Sequence, residues 1–208
     1  MQHIDFKMKK IPLQARSKAT VHAIIQACTR VLEEEGYRAL NTNRIATVAG
    51  VGIGSLYEYF PGKEAIVAAM VQNLIEEHMK TLNQELASAH NNEFDQAMRH
   101  WIGTLYELVM RKKKLLQELM FEMPYSTKLI PMPFLQQQLL QLVMKGADRS
   151  REQYRISVTP EILFLIASTT AGTLFGLAFA PTFGSNNDKI LDELSATIIR
   201  WLTKTNPS

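Results

Sequence analysis

Residues 41–63 read NTNRIATVAGVGIGSLYEYFPGK, and this stretch decides the fold. Two short helical patterns stand close together in it. Asn43 to Ala49 places Ile45, Ala46 and Ala49 on one side, and Ile53 to Tyr59 turns Leu56 inward with Phe60 just beyond. Between the two lie Ala49, Gly50, Val51 and Gly52. Small residues at that joint let two helices cross closely, as a helix-turn-helix requires, and leave the second exposed enough to enter a major groove. The spacing predicts a reading head for duplex DNA.

Upstream, Ser17 is an N-cap residue type, and Val21, Ile24, Ile25, Cys28, Val31 and Leu32 repeat at helical spacing up to a stop at Gly36. Glu33, Glu34 and Glu35 crowd the end of that helix, where the dipole prefers cations, so they call for solvent or a nearby Lys or Arg. Residues 36–40 form a linker that returns Leu40 inward, and Thr42 offers a hydroxyl cap to the second helix that can also face a phosphate. Downstream, Pro61-Gly62 stops the reading helix, and Lys63-Glu64 opens a longer one running to about Leu86. Lys63 is poorly placed for that helix's dipole, which suits an ammonium aimed at a phosphate; a solvated lysine is the other reading.

At 208 residues and 46% apolar composition the chain can bury the core of one large or two modest domains. The formal charge is +3, but its distribution is uneven: residues 1–63 carry nine basic and five acidic side chains, net +4, against fourteen and fifteen, net −1, in residues 64–208. The excess sits with the reading head, where phosphate attraction needs it. Lys7, Lys9, Lys10, Arg16 and Lys18 precede the head around Pro12, either as a solvated tail or as an arm approaching phosphates or the minor groove. Cys28, the single cysteine, reads as a small buried hydrophobe. The N-terminus lacks an apolar signal-peptide core, and no apolar run reaches about 20 residues, so a cytoplasmic protein without a membrane span is expected. Ile162 to Phe179 is the most apolar run, but its Thr, Ser and Gly residues suit an interior or subunit-contact helix.

Residues 17–70 resemble the DNA-binding domain of the tetracycline-repressor (TetR) family of one-component bacterial transcription regulators. The resemblance rests on the first-helix stripe ending in Glu35-Gly36-Tyr37, on Thr42 with Ile45-Ala46, on Ala49-Gly50-Val51, on Gly54-Ser55-Leu56-Tyr57-Glu58-Tyr59-Phe60, and on Lys63-Glu64. It covers about a quarter of the chain. It implies an all-α protein: an N-terminal three-helix helix-turn-helix domain, taken as residues 1–62, joined to a C-terminal helical ligand-binding and dimerisation domain, residues 63–208. The family commonly caps its recognition helix with Ser or Thr; this chain has Gly52 there, followed by apolar Ile53. The expected DNA-binding residues are Thr42, Asn43, Arg44, Ile53, Gly54, Ser55, Tyr57, Tyr59 and Lys63, with the resemblance favouring Tyr57 and Lys63 as phosphate contacts. A packed helix-end aromatic is the competing role for Tyr59.

Beyond the head, Phe94, Met98, Trp101, Ile102, Leu105, Tyr106, Leu108 and Val109 recur at helical spacing, followed by a basic turn at Arg111–Lys114 and a helix from Leu115 to Met123. Pro124, Pro131 and Pro133 break the chain before another helical run from Phe134 to Met144. Large adaptable side chains concentrate here: Trp101, Leu105, Tyr106, Met110, Met120, Phe121, Met123, Tyr125, Phe134 and Met144. Many pack a core, and the resemblance implies that they also line an effector pocket for a small hydrophobic or aromatic molecule. Pro160-Glu161 opens a further helix, and the last runs from about Ile190 to Leu202. Leu163, Ala167, Thr170, Leu174, Phe175, Leu191, Leu194 and Ile198 are the expected homodimer contact, a four-helix arrangement that sets two heads about one DNA turn apart on a pseudopalindromic operator.

Enzyme chemistry finds no support. His3, His22, His78, His90 and His100 form no metal-ligand spacing, and no phosphate loop, nucleotide fingerprint or HExxH pattern is present, so neither a cofactor nor a metal is expected. The reading is a ligand-responsive repressor of double-stranded DNA operators. The alternative is a DNA-binding structural or co-regulatory dimer without small-molecule response.

Overall fold

The computed structural model describes residues 5–88, 94–123, 125, 159–180 and 186–203, and among them the fold is all-helical, with no strand. The helices are α1 (Ala15–Glu35), α2 (Thr42–Ala49), α3 (Ile53–Tyr59), α4 (Lys63–Ser88), α5 (Phe94–Arg111), α6 (Lys113–Gln117), α7 (Pro160–Phe179) and α8 (Asn187–Leu202). A 3-10 turn (Tyr37–Ala39) follows α1, and a π-helical turn (Glu118–Glu122) follows α6. The described residues fall into two compact units, one drawn from Met1–Glu77 and Lys114–Ile130, the other from His78–Lys113 and Pro131–Ser208. The expected helix from Phe134 to Met144 lies outside the described residues.

In the first unit α1 buries Val21, Ile24, Ala27, Cys28, Val31 and Leu32 against Ile45 and Ala46 of α2, Leu56 of α3, Phe60, and Ala65, Ile66 and Met70 of α4. Burial of each large side chain contributes about 1.5–3 kcal/mol. Without that packing α2 and α3 would not persist, since isolated helices shorter than about 12 residues are marginal in water. Gly50 ends α2 at φ 67, and its N–H reaches back to Ala46 and Thr47 carbonyls. A Cβ there would meet no neighbour, so the left-handed backbone, not crowding, calls for glycine.

Two caps differ from expectation. α1 begins at Ala15 with Gln14 at its cap, and Ser17 Oγ donates to the Gln14 carbonyl at 2.8 Å from inside the first turn. α2 is capped by Asn41, whose Oδ1 accepts the Arg44 N–H at 2.9 Å, leaving the Thr42 hydroxyl to another partner. The crowded acids at the end of α1 are relieved as the dipole argument requires: Glu35 pairs with Arg44.

The second unit packs α5, α7 and α8 on one another around Leu82, Phe94, Met98, Trp101, Ile102, Ile166, Leu194, Ile198, Ile199 and Leu202. α7 starts with Pro160, and the Thr159 side chain accepts from Ile162 N–H at 3.4 Å. α7 is long and apolar enough to cross a membrane by length and composition. The Asn186 side chain caps α8 by accepting from Asp188 N–H at 2.9 Å.

Candidate nucleic-acid interface

The interface is built on the outward face of α3. Leu56, Tyr59 and Phe60 anchor the inner side in the core, so the helix cannot roll without exposing them. Opposite them Ile53 is 39% and Tyr57 42% exposed, and Gly54, Ser55 and Glu58 are exposed too. Gly52 stands at the N-cap in extended backbone with no side-chain bond. A Cβ added at Gly52 would meet only Ser55 Oγ, at 4.0 Å, so a capping hydroxyl has room there and the chain does without one.

The hydroxyls of Thr42 and Tyr57 lie 3.0 Å apart, linking the start of α2 to the middle of α3. Two adjoining hydroxyls on the surface are suited to donate to one phosphate while fixing each other's orientation. Asn43 is exposed beside them. Arg44 is exposed as well, but its guanidinium grips Glu35: Nε lies 3.0 Å from both carboxylate oxygens and Nη2 2.6 Å from Oε1. That hydrogen bonding holds the Glu35 carboxyl below, and the Arg44 guanidinium above, their ordinary ranges. Lys63 donates to the Leu40 carbonyl at 3.2 Å and lies 4.6 Å over the Tyr37 ring, so its ammonium bridges α4 to the linker after α1. Of the nine expected DNA residues, the structure links Thr42 to Tyr57 and leaves Asn43, Ile53, Gly54, Ser55 and Tyr57 exposed on α2 and α3. Tyr59 is in the core, and Arg44 and Lys63 are engaged by the protein's own oxygens. Unforeseen in the sequence were the cap at Asn41, Arg44 as the residue that takes Glu35, and the contact of Lys9 with the end of α3.

The model of the family described as bacterial regulatory proteins, tetR family, matches residues 24–70, from mid-α1 into α4. Residues 24–70 are thus similar to the DNA-binding domain of the TetR family. The match spans the helix-turn-helix of α2 and α3 and the parts of α1 and α4 that pack against it. Solved structures share the fold over most of the chain. The TetR-family transcriptional regulator from Streptomyces coelicolor is 21% identical with a TM-score of 0.61, covering 89% of this chain and 97% of that one. The transcriptional regulator from Cytophaga hutchinsonii ATCC 33406 is 17% identical with a TM-score of 0.67, covering 89% and 100%. The fatty acid degradation regulator FadR from Bacillus halodurans is 18% identical with a TM-score of 0.62, covering 92% and 96%. At these identities the likeness is one of fold. No curated protein matches the sequence.

The expected effector residues are distributed as follows. Trp101 is buried, Leu105 and Tyr106 are half-buried and Met110 is exposed, all on α5 in the second unit; Tyr106 Oη accepts from the Asn187 side-chain amide at 3.0 Å. Met120 and Phe121 are exposed on the π-helical turn. Met123 and Tyr125 are buried in the first unit's core, where the Tyr125 hydroxyl lies 3.3 Å from that of Tyr37. Burial and that bond hold the Tyr125 phenol above its ordinary range. Phe134 and Met144 lie outside the described residues. Among the expected dimer residues, Thr170, Leu174, Leu194 and Ile198 are buried within the single chain, Leu163, Ala167 and Leu191 are half-buried, and Phe175 is exposed.

Proposed function

We propose that this chain is a homodimeric repressor that leaves a pseudopalindromic operator when a small hydrophobic or aromatic effector binds its C-terminal helices. The observation that carries the DNA part is the Thr42–Tyr57 hydroxyl pair beside the exposed start of a helix whose other face is buried. Phosphate contact falls to these hydroxyls and base reading to Ile53, Gly54, Ser55 and Asn43. An apolar Ile53 at the helix start favours contact with a thymine methyl. Two heads acting together gain avidity over one short helix.

Dimerisation is supported by α7. Phe164 is 59%, Leu165 46% and Phe175 37% exposed on it, a run of large apolar side chains that a second copy would cover. The effector reading is supported by polar atoms left over in the second unit. The Trp101 indole N–H and the Thr170 hydroxyl are buried with no hydrogen-bond partner among the described residues. Leaving such a group unsatisfied costs about 1–3 kcal/mol. An apolar effector bearing a hydrogen-bond acceptor would recover that energy, and only in the state that admits it, which is what a switch needs.

A mobility-shift titration against the neighbouring intergenic duplexes, with and without a panel of hydrophobic compounds, tests both parts. A retarded complex released by one compound is the expected result. Absence of a specific complex with any genomic fragment would remove the DNA assignment. Affinity unchanged across the panel would leave a DNA-binding dimer without small-molecule response.

A further inference from the structure

The basic arm ahead of α1 is docked on the head. Phe6 and Met8 pack against its core, and the Phe6 ring lies 5.6 Å from that of Tyr125 at 55°. Lys9 then meets the C-terminal end of α3 twice. Its backbone N–H donates to the Tyr59 carbonyl at 2.8 Å and its ammonium to the Tyr57 carbonyl at 3.1 Å. Lys10 Nζ sits 2.8 Å from Glu58 Oε1 and 6.0 Å from the Tyr59 ring centroid.

The last four carbonyls of a helix have no partner inside it. In α3 these belong to Leu56, Tyr57, Glu58 and Tyr59. The Phe60 N–H takes the first at 3.0 Å, and, among the described residues, Lys9 takes those of Tyr57 and Tyr59. Lys9 and Lys10 also place two cations at the negative end of the helix dipole. α3 has seven residues and no side-chain bond at its N-cap, so it depends on what holds its ends.

We propose that the arm is the C-terminal cap of the recognition helix. Phe6 anchors it against Tyr125, and Lys9 and Lys10 are positioning residues that fix where Ser55 and Tyr57 meet DNA. The consequence for operator affinity rests on the DNA-binding reading; the capping itself does not.

The test uses the full chain and compares wild type with Phe6→Ala, Lys9→Ala, Lys9→Arg and Lys7→Ala. Amide hydrogen exchange across residues 53–60 is read without DNA. Affinity is read by fluorescence anisotropy, over a salt series, on a duplex that the wild type selects from a random pool. Phe6→Ala and Lys9→Ala are each expected to speed exchange across 53–60 about threefold to tenfold and to weaken binding by a similar factor. The slope of log affinity against log salt stays at its wild-type value. Lys9→Arg, which keeps a donor, restores both, and Lys7→Ala leaves exchange unchanged. Wild-type exchange in both Phe6→Ala and Lys9→Ala overturns the proposal. So does a slope lowered by about 0.9 in Lys9→Ala with unchanged exchange, the signature of a phosphate contact. If the wild type selects no duplex, the DNA-binding reading fails while the exchange comparison still decides the arm.

Discussion

Gly36 is the position where one methyl group tests the most structure. It ends α1 at φ 80 and ψ 174, a backbone conformation adopted almost only by glycine. Its N–H donates to the Val31 carbonyl at 3.1 Å. A Cβ there would stand 3.2 Å from Glu118 Oε2, the same oxygen that accepts the Tyr37 N–H at 2.8 Å. Gly36→Ala therefore adds backbone strain of about 1–3 kcal/mol. The narrower unfolded ensemble of alanine offsets about 0.4–1 kcal/mol. The methyl also crowds a flexible carboxylate. If Glu118 gives way, the Tyr37 N–H keeps water but loses a charge-assisted bond, a further cost of about 1 kcal/mol at this half-buried site. The net expectation is a loss of about 2–3 kcal/mol. In a Glu118→Ala background the crowding disappears, so the same substitution should cost about 1 kcal/mol less there. Urea unfolding of the four proteins of this cycle at one fixed protein concentration measures both numbers. A Gly36→Ala stability within about 0.5 kcal/mol of wild type would refute the strain argument. Equal cost in both backgrounds would refute the Glu118 contact.

Tyr57→Phe should weaken operator binding about tenfold by anisotropy and leave the thermal midpoint in place, because the hydroxyl is on the surface; wild-type affinity would move the phosphate contact elsewhere. Lys63→Ala should lower the midpoint as well, since its ammonium bonds Leu40 and covers Tyr37. Phe175→Asp should yield folded monomers in sedimentation, whereas Leu194→Asp, placed in the second unit's own core, should lose helicity by circular dichroism; a folded dimeric Phe175→Asp protein would place the interface off this part of α7. Burial pushes the Cys28 thiol from about 9 up to about 12. Its stabilising contribution is fully present below pH 9, where both states are protonated, and declines as pH rises towards 12 because the unfolded thiol ionises first. A thiol reagent at pH 8 should label nothing in the folded protein and one thiol per chain in denaturant; labelling at the rate of a free thiol would contradict the burial.

What was legible in the sequence is what is local. α3 is bounded by Gly52 and Pro61, α2 by Gly50, and the α1 stripe by Gly36, so periodicity and punctuation place the head's helices to within a residue or two. The N-caps escaped that reading. Asn41 and Thr42 are both capping residues side by side, and Thr42 is drawn away by the Tyr57 hydroxyl, a contact 15 residues off. Composition likewise could not tell which apolar cluster each large side chain joins, and Met123 and Tyr125 went to the first unit's core. The cations show the same limit with a functional consequence. Among the nine basic residues of the first 63, Lys9, Lys10, Arg44 and Lys63 all rest on the protein's own oxygens. Those bonds leave the head's net charge of +4 intact for drawing DNA in at long range. At contact distance they leave uncharged groups, Thr42, Asn43, Ile53, Ser55 and Tyr57, on the surface of α2 and α3. Neutral groups discriminate by geometry more than by charge, so the exact placement of α3, and whatever holds its ends, bears directly on which operator is read.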